Sequence, residues 1–386
     1  MSKEFERKVR EEKPVVAICY DFDKTLSPDD MQAQGFIQSV KCEVKEFWEE
    51  SNGLAENNEM DQNLAYMFTM KEKAYGNQVF NKQLLNEYGS KVKLFPGVET
   101  WFKRIREYGN SKNVIVEHYI ISSGLKEMIE GTGVADEFEK IYASSFYYDE
   151  KGVALWPAQV VNYTNKTQFL FRIEKGVLDV NDPGINDFFE PENIRVPFRN
   201  MIYIGDSDTD IPCMKLVNSH SGHSIGVYDP ETKNKSKVYK MMHDNRIKYF
   251  APADYSEDSE LDILVKVIID RTAYNEKLEA IHYKNKKEFM ENDENINSEE
   301  REKRNLIIAL ENSGSFANTH SVVEKLREYN DFSDFYKGWL IDIALENSQV
   351  NYIINDADLK HFYGDILNSM ASLSEKAEML KEMIES

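Results

Sequence analysis

Three apolar stretches of strand length stand out in the first part of the chain. They cover residues 15–20, 114–121 and 201–204, and each is followed by a polar segment. Between them, apolar residues recur at helical spacing, as they do in the segment 98–108. Strands that alternate with helices predict an α/β protein built on a parallel sheet.

Acidic and hydroxyl side chains stand where these apolar stretches end. Asp21 and Asp23 follow the first stretch, Ser122 follows the second, and Asp206 and Asp210 follow the third. In an open parallel sheet, ligands bind at the edge formed by the carboxyl ends of the strands. We therefore expect these side chains to converge in space although they are far apart in sequence.

The chemistry of these residue types suits phosphoryl transfer. A carboxylate can attack phosphorus and form an acyl phosphate, and Asp21 and Asp23 would point the same way on a continuing strand. One could attack phosphorus while the other delivers a proton to the leaving oxygen. Lys166 offers a single positive charge to four carboxylates, whose mutual repulsion calls for a cation. Mg²⁺ is the usual partner of carboxylates and a substrate phosphate.

The motifs resemble those of the haloacid dehalogenase superfamily of phosphatases. That family carries an Asp-x-Asp-x-Thr, a Ser or Thr after a strand, a Lys and a Gly-Asp-x-x-x-Asp, and all four occur here in that order, within residues 14–255. Members that cleave carbon–halogen bonds lack the second Asp, which is Asp23 here. Leu26 departs from the Thr-Gly-Thr of ion-pumping relatives. A helical segment after the first motif and the return through Pro96-Gly97 are similar to phosphoserine-phosphatase-type members.

The resemblance implies a role for each motif residue. Asp21 would be the nucleophile, and Asp23 would be the general acid that later activates water. Ser122 and Lys166 would bind the transferring phosphoryl group.

The metal site is also implied by the resemblance. Asp21, the main-chain carbonyl of Asp23, and Asp206 would hold Mg²⁺. Asp210 would lie next to these ligands without binding the metal itself, or would orient Lys166.

Three assignments leave alternatives open. No strand precedes Lys166, which could also be a solvated surface lysine. Ser123 is a second hydroxyl beside Ser122, although Ser122 is preferred because it immediately follows the apolar stretch. Asp30 either caps a helix or contacts a substrate amine, since phosphoserine-specific relatives carry an acid a few residues past the first motif.

Changes in pattern predict several domains. A polar lead-in at 1–13 precedes an α/β core made of 14–26 and 93–255. The helical segment 27–92 lies where the family carries a cap, which excludes water and selects substrates. In 256–386, Gly and Pro are scarce and apolar residues follow a helical period. We expect a Rossmann-like parallel sheet core with an inserted helical cap and an additional α-helical C-terminal domain.

The C-terminal region contains a near-repeat. The six residues Ile-Ala-Leu-Glu-Asn-Ser at 308–313 recur at 343–348. A spacing of about 35 residues suits a two-helix unit, and coincidence between two amphipathic helices is the alternative. In either case these helices could dimerise the protein or bind a protein partner.

Charge and cysteine content narrow the class of protein. A net charge of -21 over 386 residues argues against nucleic acid as a partner, because a phosphate backbone requires a basic patch, and against anionic membranes. The 3 cysteines have no metal or redox spacing, which favours a reducing compartment. The charged N-terminus lacks a signal-peptide core, and no apolar run reaches the length of a membrane span. We expect a cytoplasmic protein.

The predicted function is a Mg²⁺-dependent, HAD-like phosphoric monoester hydrolase that cleaves a small phosphorylated metabolite through a phospho-aspartyl intermediate. Two alternatives remain. A phosphomutase or phosphotransferase would use the same aspartate and return the phosphoryl group to a substrate. A phosphate-sensing protein would recruit a partner through its C-terminal helices, but a sensor has no need of the acid at Asp23. The motifs specify the reaction, and cap residues select the substrate.

Overall fold

The computed structural model describes residues 5–189, 193–292 and 298–385. Within these residues, seven strands form one sheet. They are β1 (Val15–Tyr20), β2 (Ile115–Leu125), β3 (Lys140–Tyr148), β4 (Ala154–Gln159), β5 (Met201–Gly205), β6 (His223–Tyr228) and β7 (Tyr249–Pro252). Their order across the sheet is β4-β3-β2-β1-β5-β6-β7.

The sheet is parallel except at one edge. The central strand β1 pairs in parallel with β2 and with β5, so that Ile18 lies opposite His118 on one side and Ile202 on the other. Among the described strands, β4 is the antiparallel one, paired with β3. Every residue of β1 is buried, as expected of a parallel strand that is covered on both faces. The predicted α/β fold with a Rossmann-like parallel sheet is confirmed.

Helices connect the strands and form most of the second half of the chain. Up to the last strand they are α1 (Phe36–Ser39), α2 (Val44–Asn57), α3 (Gln62–Ala74), α4 (Lys82–Gly89), α5 (Val98–Ser111), α6 (Lys126–Glu130), α7 (Thr167–Lys175), α8 (Ile211–Ser219) and α9 (Ser236–His243). After the sheet follow α10 (Glu260–Asn292), α11 (Ser298–Glu311), α12 (Phe316–Leu326), α13 (Asp334–Glu346), α14 (Ser348–Tyr352), α15 (Ala357–Asn368) and α16 (Glu375–Glu385). Among the described helices, none combines the length and the apolar character needed to cross a membrane.

Side chains of β1 alternate between two hydrophobic layers, one on each face of the sheet. Tyr20 belongs to the layer that contains Trp101 of α5, whose Nε1 donates a hydrogen bond to the Tyr20 hydroxyl over 2.7 Å. Cys19 belongs to the other layer, together with Phe169 of α7. Because successive side chains of a strand point to opposite faces, packing on both faces holds the end of β1 in place.

Contacts among the described residues divide the chain into two compact units. One contains the sheet and consists of residues 11–178 and 195–276. The other combines the described parts of 1–10, 179–194 and 277–386. The helices α1–α4, in the segment predicted as a cap, belong to the sheet unit. The predicted domain limits, including a boundary at 255, stay a prediction.

The C-terminal helices have a hydrophobic core of their own. Its fully buried members include Leu310 of α11 and Leu340 of α13. The Asn347 side chain, just after α13, donates to the main-chain carbonyls of Glu311 and Ser313 over 2.8 and 3.0 Å. The two copies of the near-repeat therefore end side by side. The predicted α-helical C-terminal region is confirmed.

Glu174 of α7 makes the stability of the sheet unit depend on pH. Its carboxyl group is buried, and this burial raises its pKa to about 8, against the opposing effect of Lys175. When the pKa of a carboxyl group is higher in the folded than in the unfolded chain, the folded protein loses stability as the pH rises between the two pKa values. We expect this group to lower the free energy of unfolding by about 3 kcal/mol between roughly pH 5 and pH 8.

The variant Glu174→Gln tests this expectation, because the amide cannot ionise. Urea unfolding at roughly pH 5 and pH 8 should show that the loss of about 3 kcal/mol between these values is absent from the variant. Glu150→Gln, at an exposed position, is the matched control and should behave like the unchanged protein. An identical pH dependence in Glu174→Gln and in the unchanged protein would contradict the assignment.

Candidate active site

The ends of β1, β2 and β5 bring three of the predicted motifs together at one edge of the sheet. Asp21 follows β1 directly, and its main-chain N–H donates to the carbonyl of Ile204 in β5 over 3.0 Å. Asp206 follows β5, and Ser122 lies on β2 beside β1. The chain leaves β1 toward one side of the sheet and later returns to its other side, so this edge is a topological switch point, where open α/β sheets bind ligands.

Ser122 lies inside a strand rather than after one. The sequence predicted that the strand ends at residue 121, whereas β2 continues to Leu125, with an irregular register against β3 after Ser122. β3 pairs with Ser122 and again with Leu125, which keeps the stretch between them within the strand. The Ser122 hydroxyl is buried and accepts a hydrogen bond from the Gly124 N–H over 3.1 Å. Ser123 also lines the cleft described below, and the preference for Ser122 stays a prediction.

Lys166 reaches the same edge from the loop before α7. Its side chain is 0% exposed, and its Nζ lies 3.1 Å from Oδ1 of Asp21 and 2.7 Å from Oδ1 of Asp210. The alternative of a solvated surface lysine is therefore excluded. Burial by itself lowers the pKa of an ammonium group, but the two carboxylates outweigh it and raise the pKa of Lys166 above its ordinary value.

Asp210 is held by protein groups on both of its carboxylate oxygens. Besides Lys166, the hydroxyl of Tyr203 donates to Oδ1 over 2.9 Å. The main-chain N–H and the hydroxyl of Ser207 both donate to Oδ2 over 3.3 Å. Asp210 approaches β5 so closely that a Cβ on Gly205 would lie 2.5 Å from Oδ2, which explains the glycine. Asp210 thereby fixes the position of the lysine ammonium group.

Three carboxylates at this edge, those of Asp21, Asp206 and Asp210, offer oxygens that lie within 4.8 Å of one another. Burial and the charge of Asp210 raise the pKa of Asp21 to about 7, against the opposing effect of Lys166. Burial and Asp210 also raise the pKa of Asp206 to about 6. One ammonium group leaves an excess of negative charge here, which a divalent cation would relieve. Carboxylate oxygens such as these three are donors that suit Mg²⁺.

Asp23 faces the cleft two residues after Asp21. Its Oδ1 accepts a hydrogen bond from the Met31 N–H over 2.9 Å. Gly124 lies so close that a Cβ there would come within 2.9 Å of Oδ2. Burial, reinforced by the charges of Asp30 and Asp21, raises the pKa of Asp23 well above its ordinary value. The cleft therefore favours the protonated form of Asp23.

Asp30 is paired with a lysine. Its two carboxylate oxygens accept hydrogen bonds from the Lys24 ammonium group over 2.9 and 3.0 Å. Its side chain makes no capping hydrogen bond to the helical turn that follows, so the capping alternative is not observed. Lys24 itself adopts a left-handed backbone conformation, with φ of 58°. Asp30 lines the cleft, and its contact with a substrate stays a prediction.

Four of the motif residues, Asp21, Asp23, Ser122 and Asp206, line a cleft of about 570 Å³. Several further residues line it that sequence reasoning did not single out: Lys24, Gln32, Trp48, Asn52, Asp61, Asn63, Tyr66, Asn162, Tyr163 and Lys237. Of these, Asp61 had a recognisable signal, because Asp before a helical segment is typical of an N-cap. Lys237 lies on α9, and its Nζ is 3.4 Å from Oδ2 of Asp206.

No family model matches the sequence. A protein of Borreliella burgdorferi, described as uncharacterised, is 28% identical over 284 residues, which cover 66% of this chain and 96% of that protein.

Two solved structures are among those to which this chain is similar. One is a HAD family hydrolase from Salmonella enterica serovar Typhi, with a TM-score of 0.44 and 16% identity over 67% of this chain and 72% of that chain. Another is a probable phosphoserine phosphatase from Vibrio cholerae, with a TM-score of 0.43 and 12% identity over 68% of this chain and 67% of that chain.

Proposed function

We propose that this protein is a Mg²⁺-dependent phosphomonoesterase that forms a phospho-aspartyl intermediate on Asp21. The observation that carries the proposal is the buried contact of Lys166 with Asp21 and Asp210 at the end of β1. It places an ammonium group beside a carboxylate that borders an open cleft. A purely structural ion pair has no need of the further carboxylates of Asp23 and Asp206 at the same place.

In the first half of the reaction, a carboxylate oxygen of Asp21 attacks phosphorus. The bond between phosphorus and the ester oxygen breaks, and Asp23 gives its proton to that oxygen, so that a neutral alcohol leaves. The raised pKa of Asp23 supports this role, because a general acid must hold its proton at the working pH.

In the second half, the carboxylate of Asp23 takes a proton from a water molecule whose oxygen attacks the same phosphorus. The bond between phosphorus and Asp21 breaks, and inorganic phosphate leaves. Asp21 is then a free carboxylate again, and Asp23 is protonated, so both groups are ready for the next substrate.

Charge stabilisation would come from groups around the phosphoryl oxygens. Lys166 and Ser122 would donate hydrogen bonds to the equatorial oxygens during both steps. Asp21, Asp206 and the main-chain carbonyl of Asp23 would hold Mg²⁺, which neutralises phosphoryl charge when it is bound.

Product analysis distinguishes the proposal from a phosphomutase. The unchanged protein with Mg²⁺ should release inorganic phosphate from a generic aryl phosphate. A hexose monophosphate that is converted to its isomer without release of phosphate would contradict hydrolysis and support a mutase.

The location in the cytoplasm stays a prediction. The binding of a protein partner or of a second copy to the C-terminal helices also stays a prediction.

Removal of divalent cations is expected to abolish hydrolysis of an aryl phosphate, because Asp21 and Asp206 would then repel each other and the substrate. Treatment with EDTA should reduce phosphate release to background, and excess Mg²⁺ should restore it. Ca²⁺ should restore little, since its larger and looser coordination misplaces the attacking groups. Full turnover after EDTA treatment would count against the proposal.

A binding measurement complements this assay. Mg²⁺ should raise the unfolding temperature of the unchanged protein, because it binds the folded chain. The shift should be smaller in Asp206→Asn, which removes one of the proposed ligands. Asp136→Asn, which does not line the cleft, is the matched control and should keep the full shift.

A further inference from the structure

Two aromatic rings form a corner in the wall of the cleft. The rings of Trp48 and Tyr66 are 6.1 Å apart between centroids, with an angle of 67° between their planes, and both residues line the cleft. The Tyr66 hydroxyl donates to the main-chain carbonyl of Ser123 over 2.7 Å. The corner is therefore tied to the strand that carries Ser122.

A carboxylate that lines the same cleft has no cationic partner among the described residues. Asp61 accepts hydrogen bonds from the main-chain N–H groups of Asn63 and Leu64, over 2.8 and 3.0 Å. The side-chain amide of Asn162 donates to its other oxygen over 2.8 Å. All three donors are neutral, and no ion pair to Asp61 occurs within the part of the chain that the structure describes. Its negative charge is thus available to a ligand in the cleft.

The two lysines that line the cleft each lie close to a carboxylate. Lys24 pairs with Asp30 at 2.9 Å, and Lys237 lies 3.4 Å from Asp206. No arginine is among the described residues that line the cleft. A substrate with a second anionic group, such as a carboxylate, would find no spare cation here.

A cleft lined by aromatic faces and by a carboxylate that has no ion pair among the described residues suits a positively charged group. A cation within about 6 Å of a Trp or Tyr ring is attracted by the ring, most strongly where water is excluded. We propose that the substrate is the phosphate monoester of an amino alcohol. Its cationic amine lies against Trp48 and Tyr66 and is neutralised by Asp61, while its phosphate points to Asp21. This inference rests on the proposed phosphatase function and adds the class of leaving group.

A pair of esters that differ only in charge tests the inference. Phosphocholine carries a quaternary ammonium group, and neohexyl phosphate has carbon in place of that nitrogen. The unchanged protein with Mg²⁺ should show a kcat/KM at least about tenfold higher for phosphocholine. Phosphoserine, which adds a carboxylate next to its amine, should be poorer than phosphoethanolamine.

Two variants locate the source of this preference. In Asp61→Asn the amide still caps α3, since Asn is a good N-cap residue, and in Trp48→Leu an apolar side chain is kept. In each, the ratio of kcat/KM between phosphocholine and neohexyl phosphate should fall at least about threefold. A merely structural role would lower both values alike and leave the ratio unchanged. Asp149→Asn, outside the cleft, should keep the ratio of the unchanged protein.

The outcomes separate this inference from the function on which it rests. Hydrolysis of an aryl phosphate with no preference between the two esters, or with neither ester accepted, overturns the inference and leaves the phosphatase proposal intact. If the protein hydrolyses none of the three compounds, the phosphatase proposal is overturned, and the inference with it. An unchanged ratio in both variants overturns the assigned contacts.

Discussion

Asp21→Asn is expected to lower the hydrolysis of an aryl phosphate by at least roughly a thousandfold, because the amide cannot attack phosphorus. The fold should remain intact. Lys166 keeps its second carboxylate partner, Asp210, at 2.7 Å, and the substitution removes a carboxylate whose pKa is already raised to about 7 by burial and charge repulsion. Phosphate release under saturating Mg²⁺ measures the effect, and circular dichroism measures the fold.

The matched control is an aspartate outside the cleft. Asp136→Asn makes the same chemical change at a position that does not line the site, and its kcat/KM should stay within about twofold of the unchanged protein. If Asp21→Asn were as active as this control, Asp21 could not be the nucleophile.

Lys166→Met should affect stability and activity together. Removing one partner from a buried charge cluster typically costs about 3–5 kcal/mol, and here Asp21 and Asp210 would lose their common cation. The pKa of Asp21, which is already raised to about 7 in the folded chain, would rise further above its unfolded value, so stability would be lost as pH rises. The deficit in the free energy of unfolding should therefore be larger above neutral pH than near pH 5.

Hydrolysis should fall by at least roughly a hundredfold in Lys166→Met, because a charged donor to the phosphoryl oxygens is lost. Lys103→Met, at an exposed lysine with a partner 3.9 Å away, is the control and should change stability by less than about 0.5 kcal/mol. The double variant Lys166→Met with Asp210→Asn should recover part of the stability. A single variant as stable as the control at every pH would show that the buried pair is not needed for the fold.

The sequence predicted the centre of the sheet well because parallel strands covered on both faces are almost purely apolar. The stretch that became β1 is an example, and the acid that follows it could be placed at the sheet edge by a general rule of open α/β sheets. The end of β2 was misplaced. The polar residues from Ser122 onward looked like a loop, but β3 pairs with Ser122 and with Leu125 and so keeps this stretch in the strand.

Side chains that depend on long-range packing were harder to find. Lys166 was recognised by motif order alone, and its burial comes from contacts with residues far away in sequence. The corner of Trp48 and Tyr66 and the pairing of Lys237 with Asp206 follow no local pattern. Such contacts are set by how helices such as α2, α3 and α9 lie over the sheet edge, which periodicity does not encode.

Long-range packing also decides where loops belong. Phe188 packs against the hydrophobic core of the C-terminal helices, and the ammonium group of Lys325 lies 4.6 Å from its ring centroid. The described residues of 179–194 therefore belong to the helical unit although they lie between the third and fourth motifs in sequence. Two adjacent phenylalanines in an acidic segment, Phe188 and Phe189, give no indication of this partner.

The most direct test of the central claim is to look for the covalent intermediate. The protein is mixed with an aryl phosphate and Mg²⁺, quenched in acid during turnover, and digested for peptide mapping. The account predicts a phosphoryl group on Asp21 that hydroxylamine removes, as expected of an acyl phosphate, and that is absent from Asp21→Asn. Turnover with no phosphoryl group on the chain, or with the group on a different residue, would contradict it.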